Sequence, residues 1–140
     1  MTVSQTIERP LAAIAQLGKS AEVVLRYFTL FNSGEYQQVA DLFAIDGSLY
    51  PPFEAPVVGR DNIADYLIKE ADGMTVSLLD AEVLSGECNC LQVNVRGSVT
   101  ALVFKVKVVW CFVLTDDNKI ESVRVDLVAT LEELLRIRPQ

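Results

Sequence analysis

The chain has no histidine in 140 residues. That absence removes the side chain most used as a general acid–base near neutral pH and as a metal ligand. Acid–base chemistry would have to fall on Asp or Glu. Basic residues are also scarce, 12 against 19 acidic ones, leaving a net charge of −7. Without clustered Lys and Arg, the composition argues against nucleic acid as a partner and against adsorption to anionic membranes by electrostatics alone. Three cysteines cannot all pair within one chain. The close pair Cys88-Asn89-Cys90 has no companion His or second pair, so no metal site is expected. There is no glycine-rich phosphate loop. The start, MTVSQTIERPLAAIAQLGK, lacks a basic flank before an apolar stretch, so free thiols and a cytoplasmic location are expected.

What is present is apolar surface. Hydrophobic residues make up 51% of the chain, a little above the usual share, which suggests an apolar cavity or an interface. The length fits one domain that buries a core without disulfides or metal. The longest apolar run, SVTALVFKVKVVWCFVL from Ser98 to Leu114, is interrupted only by Lys105 and Lys107. Its charges and its β-branched residues mark a strand rather than a membrane span.

Helical spacing is expected over Gln5–Leu17, then from Ser20, read as an N-cap, to the Asn32-Ser33-Gly34 turn, over Glu35–Phe43, and over Arg60–Ala71. A short strand, Ser48–Tyr50, is cut off by Pro51-Pro52 and followed by the irregular loop PPFEAPVVG. Four strands then follow, Met74–Leu84, Cys90–Thr100, Leu102–Leu114 and Ile120–Val128, before a C-terminal helix capped at Thr130. Helices first and an antiparallel meander afterwards is an α+β pattern: a curved antiparallel sheet wrapped around N-terminal helices, with an apolar cavity inside. The expected organisation is a helical extension over residues 1–19 and one domain over 20–140, tail helix included.

Strands alternate faces with a period of two. One face of the long strand carries Phe104, Val106, Val108, Trp110, Phe112 and Leu114, and is expected to point at the helices. The other carries Val103, Lys105, Lys107, Val109, Cys111 and Val113, a mixed outer face. Trp110, the only tryptophan, thus points inward with an N–H donor to satisfy. It is either simple core or part of a binding pocket. Cys111 points outward, either as an inert half-buried thiol or as one made more reactive by nearby lysines.

The stretch VVLRYFTLFNSGEYQQVADLFAIDGSLYPPFEAPVVGRDNI resembles the C-terminal domain of the cyanobacterial orange carotenoid proteins, within the nuclear transport factor 2-like fold that also contains ketosteroid isomerase. The likeness continues through VVWCFVLTDDNKI and VRVDLVATLEELL, about Val23 to Leu135. It implies a carrier: a ketocarotenoid of the canthaxanthin or echinenone type, held by Tyr27 and Trp110 donating to its keto oxygen. The same resemblance implies a tunnel lined by Phe31, Val58, Met74, Val76, Val106 and Val125. It implies a homodimer, transfer of pigment to a helical carotenoid protein, a photoprotective role with singlet-oxygen quenching, and only transient membrane contact for uptake. Cys111 stands where the family usually has arginine, which puts docking to a linked helical domain in doubt; in a homodimer that uses the outer sheet face it would sit near the dyad, where an intermolecular disulfide could form. Met74 stands where Leu is usual. Gln5–Leu17 replaces the interdomain linker and would pack across the outer sheet face.

The rival reading is an isomerase or dehydratase on the same fold, which needs a base in the pocket. Asp126 alternates outward, and Asp65 and Asp46 sit on a helix face and a turn, so no catalytic residue is assigned. The tail, with Leu131, Leu134, Leu135 and Ile137 on one stripe, reads either as a flap over the tunnel or as a fixed packing helix.

Overall fold

The computed structural model describes residues 18–85 and 90–128. The helix expected over Gln5–Leu17, the tail helix and Cys88 lie outside the described residues. Helix α1 runs Lys19–Asn32 and buries Ala21, Val24, Tyr27, Phe28 and Phe31, a stripe with i, i+3, i+4 spacing. It ends at Gly34, whose φ of 76° lets its N–H reach the Phe31 carbonyl while the Glu35 N–H reaches Leu30. A side chain with a Cβ rarely adopts that conformation, which is why the turn carries glycine. Ser20 is not the N-cap. Gly18 holds that position, and the Ser20 hydroxyl donates to Asn118 Oδ1 at 2.8 Å, tying the helix start to a distant turn.

Helix α2 (Tyr36–Asp41) is shorter than expected, because Phe43 already begins strand β1 (Phe43–Tyr50) and is fully buried there. The expected short strand Ser48–Tyr50 is the second half of β1. The loop read as irregular contains a two-residue strand, β2 (Val57–Val58), paired antiparallel to β1. Helix α3 (Arg60–Glu70) buries Ile63, Ala64 and Leu67. Strands β3 (Met74–Ser85), β4 (Leu91–Ala101), β5 (Phe104–Leu114) and β6 (Ile120–Val128) follow.

The six strands form one sheet in the order β2-β1-β6-β5-β4-β3. The expectation of an all-antiparallel sheet needs correction: β1 pairs with β6 in parallel, while every other pair is antiparallel. Hairpin turns force β3 to β6 to alternate direction. No hairpin joins β1 to β6, so the intervening helix and meander decide their relative direction. The helices pack on one face of the sheet through edge-on rings. Phe28 meets Trp110 at 4.9 Å between centroids and Tyr27 meets Phe112 at 5.1 Å. Asn32 then fastens the end of α1 to β3. Its side chain accepts from the Val76 N–H at 2.7 Å and donates to the Val76 carbonyl at 2.9 Å, imitating a strand neighbour.

The apolar face of β5 is buried only along part of its length. Val108, Trp110, Phe112 and Leu114 are buried, whereas Phe104 and Val106, at the end next to the β4–β5 turn, are exposed.

Candidate functional site

Tyr27 comes from the inward stripe of α1 and Trp110 from the inward face of β5, where Trp110 pairs with Val95 on one side and Val125 on the other. Both side chains are nearly inaccessible, at 2% and 4% of their full exposure. They line one cleft of about 180 Å³ together with Phe31, Met74, Val106 and Val125. Val76 is buried beside the cleft in the core and is not part of its wall. Val58 does not reach it: β2 sits at the sheet edge against Ser48, and the side chain is half exposed. The cleft also takes residues that alternation did not single out. Leu49, Pro51 and Pro52 come from β1 and the loop after it, Tyr66, Leu67, Glu70 and Ala71 from α3 and its cap, and Val99, Val108 and Leu127 from the strands. The i, i+4 spacing of Tyr66 and Glu70 was the available signal for the helix's share.

The polar atoms decide what this cleft can do. Among the described residues, neither the Tyr27 hydroxyl nor the Trp110 indole N–H makes a hydrogen bond. No enclosed side-chain nitrogen or oxygen among the described residues goes unpaired. Both donor atoms therefore keep some accessible surface, on side chains that line the cleft. The other cleft tyrosine is committed: Tyr66 donates to Glu54 Oε2 at 3.3 Å. Tyr36, nearby, donates to the Ala71 carbonyl at 3.0 Å. Burial, helped by Tyr66, pushes the Tyr27 phenol far above its usual range, so it stays a protonated donor. Tyr66 is pushed up to about 12 by burial first, then by the charge of Glu54, its hydrogen bond to Glu54 and the charge of Glu70.

These shifts fix a pH window. An unfolded chain would ionise these phenols near 10, before the folded one does. Above that pH the unfolded state binds fewer protons, so stability is fully present below pH 10 and falls as pH rises toward 12. Chemical denaturation of a Tyr27→Phe/Tyr66→Phe variant between pH 9 and 12 should show a flatter decline than the parent. An equal slope would mean the two phenols titrate as in an open chain.

Carboxylates are sparse around the cleft. Glu70 lines it, Asp126 faces the opposite side of the sheet, and Asp46 and Asp65 are exposed. The buried carboxylate, Asp80, also lies away from the cleft: Arg96 Nε donates to its Oδ1 at 2.6 Å and Arg96 Nη2 donates to Oδ2. No cluster of three metal-ligating side chains occurs among the described residues. Nor is any described helix long and apolar enough to cross a membrane. On the outer face Cys111 is half-buried and accepts from Gln92 Nε2 at 3.2 Å. Its charged neighbour across the ladder is Arg124 rather than a lysine. Burial outweighs Gln92 and Arg124 and pushes the thiol up, the opposite of lysine activation.

A model of the SnoaL-like domain matches residues 24–123 of this chain. The chain belongs to the SnoaL-like family. Within it, this SnoaL-like chain is a homologue of the C-terminal region of the orange carotenoid proteins. It is 30% identical over 124 residues to the orange carotenoid-binding protein of Limnospira maxima, covering 86% of this chain and 39% of that protein. The structure of the Anabaena (Nostoc) sp. PCC 7120 orange carotenoid protein binding canthaxanthin superposes with a TM-score of 0.74 at 29% identity, covering 82% of this chain and 38% of that one. This SnoaL-like chain thus spans well under half the length of the relatives it matches. An epoxide hydrolase/cyclase-like enzyme of pyran ring formation in the polyether salinomycin shares the fold, with a TM-score of 0.61 at 21% identity over 82% of this chain and 93% of its own. SnoaL-like architecture therefore serves an enzyme as well as carotenoid-binding proteins.

Proposed function

We propose that this domain binds one end ring of a ketocarotenoid of the canthaxanthin or echinenone type, with the Tyr27 hydroxyl and the Trp110 N–H both donating to the ring's keto oxygen. The observation that carries the reading is a pair of donors on two buried side chains, unpartnered among the described residues, that line one apolar cleft. A ketone oxygen has two lone pairs and accepts from both in a dry site. Leaving either donor without a partner costs about 1–3 kcal/mol. At about 180 Å³ the cleft falls below the usual size of a site that swallows a small molecule whole. It suits the end of a long ligand whose polyene continues outside, where a second copy in a symmetric pair or a helical carotenoid protein would cover it. The role that follows is carriage and transfer of pigment in photoprotection, with no reaction catalysed and no catalytic residue assigned. In a dimer built on the outer sheet face, Cys111 would lie near the interface and could form an intermolecular disulfide. The isomerase reading has one observation in its favour, the Glu70 carboxylate on the cleft wall.

Expression in a ketocarotenoid-producing host tests the reading. The purified domain should be coloured, with its visible band at longer wavelength than the pigment in organic solvent. A Tyr27→Phe/Trp110→Phe variant should lose that shift and at least tenfold in pigment yield. Colourless parent protein, or a variant with the parent's spectrum, would sink the proposal. Turnover of a small ketone abolished by Glu70→Gln would favour the enzyme.

A further inference from the structure

The β4–β5 hairpin contradicts the chemistry of its own turn. Tight hairpin turns favour Gly, Asn and Asp, which tolerate positive φ. Here the connection is Leu102-Val103, and Leu102 adopts a φ of 57°. Leu102 and Val103 are 91% and 88% exposed, and Phe104 behind them is 70% exposed. Three large apolar side chains in a row at a protruding tip gain nothing in water.

The strand register shows what surrounds this tip. On the outer face the registered positions are Thr75 and Ser77 of β3, Ser98 and Thr100 of β4, and Lys105 and Lys107 of β5. Lys105 stands nearest the tip and no carboxylate occupies these positions, in a chain of net charge −7. On the inner face Phe104 is followed by Val106 and then Leu127, both partly exposed and both on the cleft wall. An apolar strip therefore runs from the tip into the cleft, with Lys105 just behind the tip on the other side.

We propose that the Leu102–Phe104 tip docks into the surface of an anionic lipid bilayer, with Lys105 at the level of the head groups. The apolar residues enter the acyl boundary and the local positive charge meets the lipid phosphates, the two-part chemistry of interfacial anchors. The proposal rests on the apolar-ligand reading for its purpose, since the strip leads a bilayer-dissolved molecule from the membrane to the cleft. It rests on the tip alone for its geometry.

The test is co-sedimentation of the pigment-free protein with vesicles of phosphatidylcholine plus phosphatidylglycerol and with vesicles of phosphatidylcholine alone. The parent should pellet with the anionic vesicles, less so as salt rises. A Leu102→Asn/Val103→Gly variant installs the turn that such a hairpin prefers, so its fold should hold as judged by circular dichroism. Its vesicle binding should fall at least tenfold. Lys105→Gln should weaken binding to the anionic vesicles and leave binding to neutral ones unchanged. No parent binding to either vesicle, or equal binding by the Asn-Gly variant, would overturn the proposal. So would a parent dimer on gel filtration that the Asn-Gly variant dissociates, because the tip's partner would then be a second copy. Vesicle binding by the pigment-free Tyr27→Phe/Trp110→Phe variant, which keeps the tip and loses both cleft donors, should equal the parent's whatever its pigment yield, and this keeps the two proposals apart.

Discussion

Replacing Gly97 by alanine should lower the unfolding free energy by about 3 kcal/mol, the upper end of what overpacking costs. An added Cβ at Gly97 would lie 2.3 Å from the Ser77 carbonyl oxygen and 3.2 Å from the Leu78 Cα. Both are backbone atoms, so no rotamer change can make room. Gly97 is registered opposite Leu78, beside the point where the β3–β4 register shifts before Asp80. A bulge brings the two backbones closer there than a flat ladder would, and only glycine fits. With a urea m-value of about 1–3 kcal/mol/M, the midpoint should drop by roughly 1–3 M. An unchanged midpoint would mean that the strands separate freely at this position. Val99, two residues on, lines the cleft, so pigment binding should weaken along with stability.

Arg96→Met should be the second most costly single change, by about 2–3 kcal/mol. It leaves the Asp80 carboxylate inaccessible to water and without its bidentate partner. Breaking a fully buried ion pair costs about 3–5 kcal/mol. The Arg96 side chain is 50% exposed, so water can follow it in, and the expected cost is set below that range. Replacing both residues, Asp80→Leu with Arg96→Met, should cost less than the arginine change alone, because no charge is then stranded. Urea melts of the three variants decide it. A double variant less stable than Arg96→Met would show that the pair stabilises by more than the removal of a stranded charge.

The long strands were legible because their periodicity ran for nine or more residues between clear turns. Alternation put Trp110 and Asp126 on opposite faces, as their partners Val125 and Val109 confirm. Around Leu42 to Gly47 the sequence was ambiguous. Leu42, Phe43 and Ile45 fit a helix's last turn as well as a strand's first, and tertiary contacts chose the strand. Strand β2 escaped because two residues carry no period. The direction of β1 against β6 was not legible, since local sequence holds no record of which distant strand a segment meets. At the cleft, the inward stripe of α1 showed Tyr27 and Phe31. The share of Pro51, Pro52 and Leu127 depends on where a loop and a strand end converge, and that is set by the tertiary fold. Val58 shows the reverse case. The resemblance put it in the lining, but the edge pairing of β2 turns it outward.

The parallel pairing of Ser48 with Ser122 and Leu49 with Val123 joins segments about 70 residues apart along the chain. Closing so large a loop costs entropy before any contact repays it, and such pairings fold slowly. During synthesis the first strand and its helices leave the ribosome long before the last strand exists. Until then Phe43 and Leu49, buried in the finished molecule, have no sheet to cover them. Newly made protein should therefore depend on chaperones or low concentration until its final strand emerges.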